Sequence, residues 1–83
     1  HYRSILQQNP DNPLILRNYA QYLNSNRDLR GAEEYYSRAV LADPGDGEIL
    51  SEFAKWIWEL HGDKERAEGY FQRGVQAASQ DRY

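Results

Sequence analysis

The chain lacks cysteine and methionine entirely among its 83 residues. Without cysteine it can form no disulfide, and no thiolate is available to bind zinc or attack a substrate. A chain of this length buries about 60–65% of the surface that it exposes when unfolded, so its stability depends on closely packed elements. Because the first residue is His1 rather than methionine, we expect the chain to be a piece of a longer protein.

Basic residues and long apolar runs are also scarce. Ten Lys and Arg against thirteen Asp and Glu give a formal net charge of −3, whereas proteins dedicated to nucleic acids or anionic membranes usually present a basic face. No apolar run approaches the roughly 20 residues that a membrane span needs, and no signal-peptide pattern is present. We therefore expect an intracellular protein of the cytoplasm or nucleus, with neither nucleic acid nor membrane as a partner.

The residues needed for catalysis or metal binding are sparse. His1 and His61 have no Cys or His at a metal-ligand spacing. The acidic loop 43–48 lacks the residue order of a calcium-binding loop, and helix capping explains its carboxylates better. Gly45-x-Gly47 lacks the third glycine and the preceding strand of a nucleotide site. The sequence therefore predicts no enzyme activity, no metal and no cofactor.

What the sequence does contain is an internal repeat. A shift of 35 residues places Ala32–Val40 on Ala67–Val75, with aromatic, Arg and small residues matching. The second copy carries one extra residue within Leu60–Asp63. A shift of 34 residues relates two apolar sets that precede these stretches: Leu16, Tyr19, Ala20 and Leu23 fall on Leu50, Phe53, Ala54 and Ile57.

Each repeat predicts two helices, because its apolar residues recur at steps of 3 and 4. We place repeat one at 13–46 and repeat two at 47–81, with 1–10 as the end of a preceding repeat, all in a single domain of 1–83. No stretch alternates with period two, so no strand is predicted. In the last helix Ala67, Phe71, Gly74 and Val75 are expected to share a face. Suitable N-cap residues precede the four helices: Asn12 or Asp11, then Asp28, Asp46 and Asp63.

The pattern resembles the tetratricopeptide repeat, a helix-turn-helix unit of 34 residues. Repeat one matches the characteristic residues of the tetratricopeptide repeat, except that Leu16 replaces the usual Trp and Ala20 replaces the usual Gly. Repeat two departs at Gly74, at Ser79 and at the inserted residue. The residue order at 12–14, 17–20 and 42–48 also resembles that of a plant group of such proteins. The matching positions of repeat one are Leu16, Tyr19, Ala20, Leu23, Ala32, Tyr36, Ala39 and Pro44.

The resemblance implies an all-α, right-handed superhelical array whose concave groove binds a peptide or protein segment. Arg17, Gln21 and Lys55 would donate hydrogen bonds to the ligand, and Trp58 would be its apolar anchor or, alternatively, would cover a neighbouring helix. Trp56 is expected to pack against the preceding helix. By position, the implied groove residues are Arg17, Gln21, Asn24, Glu48, Ser51, Lys55 and Trp58, flanked by Leu14, Ser25 and Glu59.

Other functions fit the sequence less well. Relatives that clamp a chaperone's C-terminal carboxylate need an amide where Glu52 stands, and Glu52 would repel an acidic tail. The stretch Phe53–Trp56 slightly resembles the half-a-TPR repeats of RNA-processing scaffolds. A structural alternative is self-association through uncovered helix ends, with Tyr2, Tyr70 and Val75 among the exposed residues. We expect self-association and partner binding to be compatible, since they would use different surfaces.

Overall fold

Four α-helices follow one another along the chain. The computed structural model describes residues 12–80 and contains no strand in that range, which confirms the predicted all-α class. The predicted repeat remnant at 1–10, the alternative cap Asp11 and the predicted last residue of repeat two, Asp81, lie outside the described residues. The helices are α1 (Pro13–Ser25), α2 (Leu29–Ala42), α3 (Gly47–His61) and α4 (Lys64–Gln80).

The helices pack in consecutive pairs, α1 with α2 and α3 with α4. The chain divides between Asp43 and Pro44 into two compact units, each of which contains one pair. Short connections favour this arrangement, because two helices joined by a few residues readily pack as neighbours. We call the α1–α2 unit the first pair and the α3–α4 unit the second pair.

Each helix begins where the sequence predicts a cap. The Asn12 side chain accepts the N–H groups of Leu14 and Ile15 at 3.0 and 3.2 Å. Equivalent bonds satisfy one or two of the otherwise unpaired N–H groups in the first turns of the other helices. Their acceptors are Asp28, Asp46 and Asp63.

The turns inside the two pairs both use a left-handed backbone conformation. Gly62 has φ 62° and follows α3, while Arg27 has φ 62° in the turn after α1. Helix α3 has 15 residues and α1 has 13. One residue, Gly62, lies between α3 and the N-cap residue Asp63, whereas two residues, Asn26 and Arg27, lie between α1 and the N-cap residue Asp28. The extra residue of repeat two therefore lengthens the end of α3, within the predicted segment.

The core of the first pair combines large and small apolar residues. Ala20 lies on α1, and Ala32 and Ala39 lie on α2, and all three are fully buried. Small residues at such positions allow the two helix axes to approach closely, and the larger ones fill the remaining space. The larger buried residues are Leu16, Leu23, Tyr36 and Val40.

The core of the second pair is richer in aromatic residues. The ring of buried Trp56 lies 6.1 Å from that of Phe53 and 5.0 Å from that of His61, both of which belong to the same helix, α3. The expected packing of Trp56 against the preceding helix stays a prediction. The remaining buried residues of α3 are Ile49, Leu50, Ala54 and Ile57, and those of α4 over residues 64–77 are Ala67, Gly74 and Ala77.

The packed face of α4 differs from the expected one. Ala67 and Gly74 are buried as predicted, but Phe71 is 41% exposed and Val75 is 66% exposed. Helix α4 packs through its small residues, which rotates the two larger side chains outwards. The exposure of Val75 agrees with the prediction that it is uncovered, but its predicted place on the packing face is wrong, as is that of Phe71.

Candidate functional site

The predicted groove residues of the first pair lie on α1. Arg17 is half-buried, and its Nη2 donates a hydrogen bond to Asn18 Oδ1 at 3.3 Å. Gln21 is exposed, and Asn24 is half-buried near the end of the helix. Steps of 3 and 4 place these side chains on one side of α1.

The predicted groove residues of the second pair lie in different surroundings along α3. Glu48 is exposed in the first turn, and Lys55 is exposed with its Nζ 4.0 Å from Glu59 Oε1. Ser51 is half-buried beside α4, because a Cβ built on Gly74 would lie 2.9 Å from Ser51 Oγ. The α4 side of α3 therefore includes a predicted groove residue, Ser51.

Trp58 lies where α3 and α4 leave a cleft between them. The cleft has a volume of about 210 Å³ and is lined by Trp58, Phe71, Ala67, Lys64 and Glu68. Trp58 is 50% exposed and Phe71 is 41% exposed, while Ala67 is buried. Two large aromatic side chains thus form apolar walls that remain accessible to solvent. We call this feature the aromatic cleft.

Charged side chains form the rim of the aromatic cleft. Lys64 Nζ lies 4.0 Å from Glu68 Oε1, and both side chains are mostly exposed. Exposed ion pairs of this kind contribute about 0–1 kcal/mol to stability. Lys64 and Glu68 can therefore exchange their mutual contact for polar groups of a bound molecule at little energetic cost.

The size of the aromatic cleft restricts what it can hold. Pockets for small molecules are usually about 300–1,000 Å³, whereas this cleft is about 210 Å³. One large apolar side chain of a partner is a suitable occupant. The sequence identified Trp58 as a candidate, but it did not identify Phe71, which lies 13 residues further along the chain on the next helix.

The aromatic cleft distinguishes the second pair from the first. The repeat places Asn24 at the position of Trp58 and Tyr36 at the position of Phe71. Tyr36 is only 3% exposed. The two pairs are thus similar in helices and caps, but an exposed pair of aromatic side chains at these positions occurs in the second pair alone.

A second repeated feature was not expected from the sequence. In the first pair the Tyr35 ring lies edge-on to Tyr19 at 4.5 Å, and the Arg38 guanidinium lies 4.7 Å from the centre of the Tyr35 ring. Phe53, Tyr70 and Arg73 make the corresponding contacts in the second pair, at 4.8 and 5.4 Å, with the two rings tilted at 47° to each other. The signal in the sequence is a Tyr-x-x-Arg at equivalent positions of α2 and α4.

Metal-binding clusters and membrane-spanning helices are both absent from residues 12–80. In that range no three His, Asp or Glu side chains are grouped so that they could hold a metal ion. Within the same residues, no helix combines the length and the apolar character that crossing a membrane requires.

Comparison with known proteins assigns no family to the chain. No model of a protein family matches it, and no curated protein matches it significantly.

Proposed function

We propose that the protein is a non-catalytic protein-binding module of the tetratricopeptide-repeat type. The two helix pairs follow equivalent segments of the repeat, begin with equivalent caps and share a repeated aromatic–Tyr–Arg arrangement. Ala20, Ala32 and Ala39 are fully buried where the repeat pattern requires small residues. Units of this kind bury more of their apolar surface by stacking on their neighbours. We therefore also propose that the repeats belong to a right-handed superhelical array.

The aromatic cleft carries the functional proposal. Large aromatic side chains are enriched among the residues that dominate binding at protein interfaces, and Trp58 and Phe71 are both accessible beside a cleft of side-chain size. The proposed ligand is a protein segment that inserts one large apolar side chain between these two rings. Lys55, one helical turn before Trp58, would bind polar groups of the same segment.

The remaining groove residues keep their proposed roles as polar contacts. Arg17 and Gln21 would donate hydrogen bonds to carbonyl or carboxylate groups of a ligand along α1. Asn24, Glu48 and Ser51 would adjust specificity rather than affinity, because polar contacts that surround an anchor usually contribute little binding energy.

The test is affinity capture from a cell extract with identification by mass spectrometry. The wild-type chain would be compared with Trp58→Ala and with Tyr22→Ala, which removes another half-exposed aromatic residue, located on α1. We expect a partner that wild type and Tyr22→Ala both retain and Trp58→Ala loses. With the purified partner, Trp58→Ala should weaken binding by about 2 kcal/mol or more, roughly 30-fold.

Two outcomes would contradict the proposal. Equal capture of every protein by wild type and Trp58→Ala would exclude the aromatic cleft as the binding surface. Loss of capture together with loss of the helical circular-dichroism signal would instead assign Trp58 a structural role. A triple variant, Arg17→Glu with Lys55→Glu and Trp58→Ala, tests the complete set of groove residues in the same way.

Self-association is a second candidate function, favoured by apolar side chains outside the aromatic cleft. Leu41 is 77% exposed and Val75 is 66% exposed. Isolated exposed apolar residues are common on protein surfaces, but residues on the helices of a repeat protein can contact a further repeat or a second copy. This proposal concerns different side chains from those of the aromatic cleft.

A further inference from the structure

A second depression of the second pair lies on α4 and shares no residue with the aromatic cleft. Its volume is about 190 Å³, and it is lined by Glu65, Arg66, Gly69, Tyr70 and Arg73. Helical spacing places Arg66, Tyr70 and Arg73 on adjoining turns of one side of α4. Two arginines therefore line a small depression on a chain whose net charge is negative.

Gly69 leaves the floor of this depression open. A Cβ built at Gly69 would meet nothing within 4 Å, so close packing does not explain the glycine. Glycine inside a helix costs about 1 kcal/mol relative to alanine. Here it exposes helix backbone between the two arginines, which allows a bound group to come closer to α4 than any side chain would permit.

Tyr70 and Arg73 are held in place by their neighbours. The Tyr70 ring lies 4.8 Å from that of Phe53, and the Arg73 guanidinium lies 5.4 Å from the centre of the Tyr70 ring. An arginine stacked on an aromatic ring keeps its N–H groups available for other acceptors. Because the stacking restricts the side chain, Arg73 loses less conformational freedom when it binds a ligand.

The first pair supplies an internal comparison. It contains the same Tyr–Arg contact, between Tyr35 and Arg38. At the position of Gly69, however, it has Glu34, one turn before Arg38, and at the position of Arg66 it has Gly31. The first pair therefore repeats the stacked arginine but has neither the second arginine nor the open glycine.

We propose that Arg66, Gly69, Tyr70 and Arg73 form a binding site for an oxyanion-bearing side chain of a partner protein. We call these four residues the arginine site. The suitable groups are the carboxylate of Asp or Glu and the phosphate of a phosphorylated residue, since guanidinium groups bind both with paired, charge-assisted hydrogen bonds. Glu65, which also lines the depression, opposes the anion and limits its affinity. The arginine site and the aromatic cleft share no residue, so an experiment can contradict one proposal and leave the other unaffected.

The experiment measures fluorescence anisotropy with the whole chain and short labelled Gly-Ser peptides. One peptide carries consecutive glutamates, one carries a phosphoserine and one carries lysines. We expect the two acidic peptides to bind, the lysine peptide not to bind, and added salt to weaken binding because the contacts are exposed. Binding of the phosphoserine peptide alone or the glutamate peptide alone supports the proposal and identifies the preferred group; inorganic phosphate as competitor separates a free anion from a peptide.

Matched variants locate the binding. Arg66→Gln and Arg73→Gln should each weaken binding about tenfold, as expected for loss of one charge-assisted contact. Arg38→Gln removes the equivalent stacked arginine of the first pair and should leave the affinity unchanged. Gly69→Glu introduces the acid that the first pair has at this position and should abolish binding.

The Glu65→Gln variant should change the affinity in the opposite direction from the arginine variants. It removes a negative charge beside the arginine site and should tighten binding of the acidic peptides several-fold. Weaker binding of those peptides by Glu65→Gln would overturn the proposal. The same conclusion would follow from equal binding of the lysine peptide, from equal losses for Arg38→Gln and Arg73→Gln, or from no binding of either acidic peptide at low salt.

Discussion

Two glycines of α4 differ in what surrounds them. Gly69 has open space where a side chain would begin, whereas a Cβ on Gly74 would lie 2.9 Å from Ser51 Oγ and 3.2 Å from the backbone oxygen of Gly47. Ser51 can rotate away, but the oxygen of Gly47 belongs to the first residue of α3 and moves only with that helix. Gly74 is therefore a packing requirement, and Gly69 is not.

This contrast predicts opposite effects of the same substitution. Gly69→Ala should raise the free energy of unfolding by up to about 1 kcal/mol through helix propensity. Gly74→Ala should lower it by about 1–3 kcal/mol, because the overpacking outweighs the gain in propensity. Urea unfolding followed by far-UV circular dichroism measures both. A stabilised Gly74→Ala variant would show that α3 and α4 separate more easily than their contacts indicate.

The two turn residues with left-handed backbone give a second prediction. Gly62→Ala meets no neighbour within 4 Å and should cost about 1 kcal/mol from backbone strain alone. Arg27→Gly relieves the same strain and should gain less than that, because glycine also increases the entropy of the unfolded chain. Thermal melts of the two variants test this, and a destabilised Arg27→Gly variant would contradict it.

At the scale of elements, the sequence determines the helices more clearly than their contacts. The caps and helix starts were predictable because an acceptor such as Asp46 acts on N–H groups two or three residues away. The outward rotation of Phe71 was not, since it depends on how α4 packs on α3. For the same reason, only one of the two aromatic residues of the aromatic cleft was predictable from the sequence. Trp58 has a local signal, but its juxtaposition with Phe71 is a tertiary contact.

The caps can be tested at the start of α3. Asp46 accepts the N–H groups of Glu48 and Ile49 at 3.0 and 3.2 Å, so Asp46→Ala should lower the free energy of unfolding by about 1 kcal/mol. Asp46→Asn keeps an acceptor oxygen and should retain most of that stability. Chemical denaturation distinguishes the two variants, and equal losses would indicate that the charge of Asp46, rather than its hydrogen bonds, is what matters.

At the scale of the whole molecule, the exposed apolar residues predict weak self-association. Sedimentation velocity at increasing protein concentration should show a rising weight-average sedimentation coefficient. The double variant Leu41→Glu, Val75→Glu should reduce this rise, because a charge would then enter any contact made by these side chains. A monomer that persists at high concentration would exclude self-association, and it would leave the aromatic cleft and the arginine site unaffected.

The two tryptophans of the chain are intrinsic fluorescence probes. Both of its tryptophans lie on α3, where Trp56 is buried and Trp58 is half-exposed, and the first pair contains tyrosine but no tryptophan. Tryptophan emission therefore reports on the second pair alone, while far-UV circular dichroism reports on all four helices. If the two units unfold together, the two signals will give one transition curve. If they unfold separately, the curves will diverge, and the stability of each unit can be measured without introducing any foreign group.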